Sequence, residues 1–335
     1  MSNVAPAKND GGRSSGDANP GLAEARPSID PDGAKKPSDD LNPIRHRAFS
    51  LARIGAIAAN TLTELTRMKA FYFLMIFALL LIGSSVFMAR LSFQQEFQIL
   101  KDISLGAMSI FTSLLAIIAT ARLIPQDIED RTIYTILAKP VPRIEYLVGR
   151  LSGVLGLLAI SILVMSGLFV IVMYSREQSV FHETARQMSA APPDALKGAL
   201  QAVRDSAFNL NIIPGIAVIY LKSCLLAALT LFVSTFATTQ IFTMVVMVFI
   251  YFIGHLQAMA REYWLHEHAT GFLTKFFLAF VALVFPDLQA FNLIDDIVVG
   301  SAIPMALFLK TAGLGMFYIV IYTVLAAIVF QGKEL

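Results

Sequence analysis

From Ser223 to Ala260 the chain runs for 38 residues without a lysine, arginine, aspartate or glutamate. As a single α-helix rising 1.5 Å per residue, that run would be about 57 Å long, nearly twice the ~30 Å hydrocarbon thickness of a bilayer. It is too apolar for a water-soluble fold and too long for one crossing. It reads as parts of two crossings joined at the polar run "STFATTQ" (234–240), the first reaching back to about 212 and taking in Lys222.

Other stretches also have the roughly 20 mostly uncharged residues that a spanning helix needs. Together they predict six spans, at about 70–89, 103–122, 150–174, 212–235, 240–259 and 308–331. Of the 335 residues 56% are hydrophobic and 15% charged, against about 25% charged in soluble domains. The expected fold class is therefore all-α, a polytopic membrane protein over residues 45–335. Between the fifth and sixth spans the apolar core 276–285 is too short to cross. Re-entrant or interfacial outer half-helices broken at Pro286 are expected there.

Residues 1–44 are rich in Pro, Gly, Ser, Ala and Asp and lack bulky apolar residues, so a solvated, disordered tail is predicted. The tail has no apolar core of the kind a cleavable secretory signal carries. After it, Leu51, Ile54, Ile57, Ala58, Leu62 and Leu65 recur at helical spacing, with Arg53, Glu64 and Arg67 interspersed, which predicts an amphipathic interfacial helix. Arg45, Arg47, Arg53, Arg67 and Lys69 precede the first span, and only Arg90 and Lys101 follow it closely. That bias places the N-terminus, and with six spans the C-terminus, in the cytoplasm. The net charge of +2 and the absence of a basic stripe give no sign of a nucleic-acid partner. Cys224 stands alone, which excludes an internal disulfide and a cysteine metal cluster.

The segment "QDIEDRTIYTILAKPVPR" (126–143) lies between the second and third spans, on the cytoplasmic side by this orientation. Asp127, Glu129 and Asp130 come first, where acids favour a helix N-terminus. Ile133, Ile136 and Leu137 form a short apolar face, and Lys139 follows near the end. Pro140 and Pro142 then stop the helix, since neither can donate a backbone hydrogen bond. The pattern predicts a short helix at the membrane surface, closed by a proline pair and Arg143.

This stretch resembles the signature of the ABC-2 family of ATP-binding-cassette transporter permeases, nearest in style to those like the nitrous-oxide-reductase maturation permease. The matching positions are Glu129, Thr132, Ile136 with Leu137, Pro140, Arg143, and Gly149 with Arg150. Arg131 stands where the family usually has glycine, and Arg150 where it usually has lysine. The resemblance extends over about residues 50–335. It implies a non-catalytic subunit of a bacterial inner-membrane exporter. A separate ATPase subunit would use ATP and Mg²⁺, and this chain would bind no cofactor; it carries no G-x-x-x-x-G-K-[ST] loop. It also implies a second permease subunit, identical or different. Residues Asp127 to Arg143, including Arg131 and Thr132, would form an ATPase-coupling helix, and the outer half-helices would help close the pathway.

Three further features stand out. Lys222, about ten residues into the fourth span, is an intramembrane charge, and such groups commonly mark function. Gly149 and Gly153 have the G-x-x-x-G spacing of closely packed helices. His255, His266 and His268 with Glu267 lack the H-E-x-x-H spacing of a zinc site and, beside Tyr263 and Trp264, read better as an interfacial belt. A secondary transporter or channel is the competing class. It would call for several ionisable groups within the spans, and Lys222 is the one the sequence offers.

Overall fold

In the computed structural model, six helices are long and apolar enough to cross a membrane. The structure describes residues 50–91, 95–130, 142–189, 192–208, 211–266, 276, 285–299 and 304–332. The tail 1–44, Arg131 to Pro140 of the charged segment, and most of the core expected to form half-helices lie outside the described residues. Among those described, every regular element is helical: α1 (Leu51–Thr66), α2 (Lys69–Leu91), α3 (Glu96–Ala121), α4 (Leu123–Glu129), α5 (Arg143–Gln187), α6 (Pro193–Ala207), α7 (Ile212–Phe236), α8 (Gln240–His266), α9 (Ile294–Val299) and α10 (Met305–Gln331). The spanning helices are α2, α3 continued by α4, α5, α7, α8 and α10.

Burial separates core spans from rim spans. In α3 and α7, 72% of the apolar window is buried, against 28% in α2, 22% in α8 and 28% in α10. The rim helices turn Phe73, Leu80, Phe249, Phe252 and Phe317 outward, which costs little in lipid because acyl chains are as apolar as the side chains.

Local chemistry sets where these helices break. Pro125 has no N–H to give to the carbonyl of Ala121, and α3 stops at that residue, turning at Arg122 into α4. The α7–α8 turn is Ala237–Thr239, where the Thr239 hydroxyl accepts the Phe242 N–H at 3.3 Å and so opens α8. α5 follows Pro142 and runs for 45 residues, about 67 Å. The sequence reading ends the third span near 174. The helix continues because Arg176, Glu177 and Glu183 end the apolar stretch without breaking the backbone ladder, and nothing before Gln187 does.

At the end of the bundle away from α1, Arg176 pairs with Glu96 at 2.5 Å and Lys101 donates to the Ser206 carbonyl at 2.7 Å. These contacts tie α5 to α3 and α3 to α6. The segment 285–299 seals the same end. Asp287 accepts the N–H groups of Gln289 and Ala290, forming the turn that begins the 3-10 helix Gln289–Phe291. Three of its side chains then rest on glycines of three spans. Leu288 lies over Gly254, Phe291 beside Gly315, and Ile297 against Gly215, each so close that a Cβ there would fall 2.1–3.0 Å from them.

Candidate functional site

The first two turns of α5 gather charged side chains from α1 and α4 and the last carbonyls of α10. Glu145 is fully buried and grips Arg53 of α1 with both oxygens, at 2.9 Å to Nη2 and 2.8 Å to Nε. The same carboxylate accepts the Ser50 backbone N–H at 3.0 Å. That donor sits at the start of α1, whose own N-cap serine provides no side-chain cap. Arg143 donates to the carbonyls of Phe330 and Gln331 at 2.9 and 3.0 Å, a cation on the last carbonyls of α10. Tyr146 stacks on the buried Phe330 ring.

Arg150 joins the two flanks of the charged segment. One of its amino groups holds the carboxylate of Asp127 on α4, to which the Tyr146 hydroxyl also donates. The other amino group reaches Glu64 of α1 at 2.8 Å. Asp127 and Arg150 are 6% and 5% exposed, so both charges are desolvated and each depends on the other. Thus α4 and α5, the described elements on either side of residues 131–141, are fastened to each other by a buried ion pair.

α1 packs along α5 in matched register. Arg53 meets Glu145, Ile57 meets Gly149, and Thr61 meets Gly153, so both helices advance one turn at a time in the same direction. A Cβ on Gly149 would lie 2.8 Å from Ile57 Cβ, and one on Gly153 2.6 Å from Thr61 Cβ and 2.8 Å from the Ala58 carbonyl. The sequence suggests that the apolar face of α1 lies on lipid; in the structure Ile54, Thr61 and Leu65 are buried against protein.

The acids of the charged segment divide. The sequence reading groups Asp127, Glu129 and Asp130 at a helix start. In the structure Asp127 and Glu129 occupy the last turn of α4 and Asp130 caps it. Only Asp127 is buried, while Glu129 and Asp130 are exposed. Arg131, Thr132, Ile136, Leu137, Lys139 and Pro140 lie outside the described residues; Pro142 and Arg143 open α5.

Lys222 lies within the core, 3% exposed. Its ammonium is 3.3 Å from the Ser109 hydroxyl, 3.0 Å from His255 Nε2 and 5.7 Å from the Tyr251 ring centroid. His255 Nδ1 faces the Tyr251 carbonyl at 2.9 Å. A carbonyl only accepts, so Nδ1 carries the hydrogen and Nε2 presents its lone pair to the lysine. The pair binds α7 to α8, and Ser109 adds α3. Among the described residues no carboxylate pairs with Lys222, and no three His, Cys, Asp or Glu side chains converge as a metal site. His268 and Glu267 lie outside the described residues. Because no ion pair rewards burial of this charge, Lys222→Met is expected to leave the melting temperature unchanged or raise it. Lys222→Glu, which sets an anion against the His255 lone pair, is expected to lower it. Thermal unfolding in detergent distinguishes the two.

A search of curated proteins gives no match. The model of the family described as ABC-2 family transporter protein matches residues 9–335, nearly the whole chain. By this match, and in keeping with its six helices long and apolar enough to cross a membrane, the chain belongs to the ABC-2 family of transporter proteins, membrane components of transport systems.

Proposed function

We propose that this chain is the permease subunit of an ABC transporter, passing the movement of a separate ATPase subunit to a translocation pathway through the membrane. ATP and Mg²⁺ would bind the ATPase, and this chain would hold no cofactor. It would work with a second permease, identical or different, in a bacterial inner membrane, with both termini cytoplasmic and export as the direction. Within the family it would stand nearest the permeases resembling that of nitrous-oxide-reductase maturation.

The observation that carries this reading is the joining of the two elements that flank residues 131–141. A push on a floppy loop dissipates, whereas here both flanks join one buried network. Asp127 ends the second span, Arg150 lies at the start of the third, and Glu64 links them to α1. A force applied between them would move three helices together. Glu129 and Asp130, exposed at the edge of that network, are the acids available to a partner.

The test is co-purification with a candidate ATPase subunit, sought among the neighbouring genes. Glu129→Lys together with Asp130→Lys is expected to weaken the complex by roughly tenfold or more, about 1.4 kcal/mol, and to abolish stimulation of ATP hydrolysis. The melting temperature of the permease should stay unchanged, because neither acid is buried. Undiminished complex formation and stimulation would remove the coupling assignment.

A further inference from the structure

A cleft of about 430 Å³ opens between α1 and the α3–α4 junction, lined by Asn60, Thr63, Glu64, Arg67, Met68 and Arg122. Asn60, Thr63, Glu64 and Arg67 follow i, i+3, i+4, i+7 spacing, so they stand on one face of α1. The carboxylate in the cleft is already engaged, since Glu64 meets Arg150 at 2.8 Å while Arg122 is 3.9 Å away. Arg122 spends its Nε on Gln126 at 2.8 Å, leaving its amino groups toward the cleft's charge. Arg67 is exposed and makes no ion pair or side-chain hydrogen bond among the described residues. Among the residues lining the cleft, two guanidiniums, of Arg67 and Arg122, thus face one carboxylate, of Glu64, which leaves the cleft with one positive charge in excess.

The position of the cleft selects the anion. Arg67 and Met68 form the corner between α1 and α2, and Lys69 begins the first span. Tyr72 and Phe73 stand exposed one turn further on, and Phe73, Phe77 and Leu80 continue as an outward apolar stripe. A basic cleft at the polar boundary, with an apolar stripe leading from it into the bilayer, matches a molecule with a phosphate at one end and acyl chains at the other. We propose that this cleft binds the headgroup phosphate of an anionic phospholipid between Arg67 and Arg122, with the acyl chains lying along α2. The proposal rests on Lys69 marking the membrane boundary and is independent of any ATPase. The lipid would touch Arg122, immediately before α4, and so would bear on the end of the second span.

Full-length protein would be purified in detergent and titrated with phosphatidylglycerol or phosphatidylcholine, with bound lipid counted by native mass spectrometry. The expected result is one phosphatidylglycerol held in clear preference to phosphatidylcholine. At about a fivefold loss per basic residue near a membrane surface, Arg67→Gln should weaken it about fivefold and Arg67→Gln/Arg122→Gln roughly thirtyfold. Arg67 makes no contact the fold needs, so Arg67→Gln remains informative should the Arg122 change unfold the protein. Equal retention of the two lipids, or unchanged retention in Arg67→Gln, would overturn the proposal. Displacement of the lipid by excess inorganic phosphate would reassign the cleft to a soluble anion.

Discussion

Arg150→Met should lower the stability of the membrane domain by about 3–5 kcal/mol, the usual cost of removing one partner of a buried ion pair. The lost attraction is the smaller part. Asp127 would stay 6% exposed and lose the guanidinium beside it, while still accepting the Tyr146 hydroxyl. At roughly 2–4 °C per kcal/mol for a domain of this general size, the melting temperature should fall by roughly 6–20 °C. Asp127→Leu should cost a similar amount by stranding the guanidinium. The double variant Asp127→Leu/Arg150→Met should recover much of the loss, because two apolar side chains would then meet where two charges met, and Glu64 has enough solvent exposure to do without Arg150. A double-mutant cycle by thermal or chemical unfolding measures this, and coupling of about 2 kcal/mol or more is expected. Simple additivity of the two losses would mean the side chains act separately and that the two flanks are not fastened through them.

Arg150→Lys separates two features of the same residue. The sequence reading treats arginine here as a substitute for the family's usual lysine, equal in charge. The structure gives the two amino groups different partners, Asp127 on one side and Glu64 on the other. A single ammonium is a compact point charge and cannot reproduce that fork. The charge was legible in the sequence; the fork was not, because its partners come from positions 86 and 23 residues away.

The same division runs through the rest of the molecule. Spanning helices are signalled locally, by length and absence of charge, so the six spans and the turn at Ala237–Thr239 could be read directly. Helix ends were harder, because charge ends the membrane-buried part of α5 at Arg176 without ending the helix. Pro125 is the local signal for the α3–α4 break. Asp127 looked like its neighbours Glu129 and Asp130. Only the return of Tyr146 and Arg150 to its side buries one acid and leaves the other two outside. Lys222 could be recognised as a charge in a span, while its histidine partner lies 33 residues on. The glycines Gly215, Gly254 and Gly315 carry no local sign of the side chains that rest on them, since those come from the irregular segment after α8.

Gly153→Ala offers the second large effect, with a sign opposite to helix propensity. Replacing a glycine inside a helix by alanine normally stabilises by about 1 kcal/mol, because alanine loses less backbone entropy on folding. At Gly153 the new Cβ would stand 2.6 Å from Thr61 Cβ and 2.8 Å from the Ala58 carbonyl oxygen. The carbonyl is backbone, so no rotamer change relieves the second contact, and α1 has to move away from α5. Overpacking of this kind costs about 1–3 kcal/mol. The register of the two helices carries the displacement to both neighbours, loosening Arg53 from Glu145 on one side and Glu64 from Arg150 on the other. Gly167 supplies the control on the same helix, since a Cβ there meets nothing within 4 Å. Gly167→Ala should therefore be neutral or stabilising, and the two substitutions should differ in melting temperature by roughly 4–16 °C. Hydrogen exchange should quicken across residues 51–66 in Gly153→Ala and stay as in the wild type in Gly167→Ala. Equal protection of α1 in both variants would show that α1 does not depend on the close approach at Gly153, and the rigid joint between α1 and the third span would have to rest on its ion pairs alone.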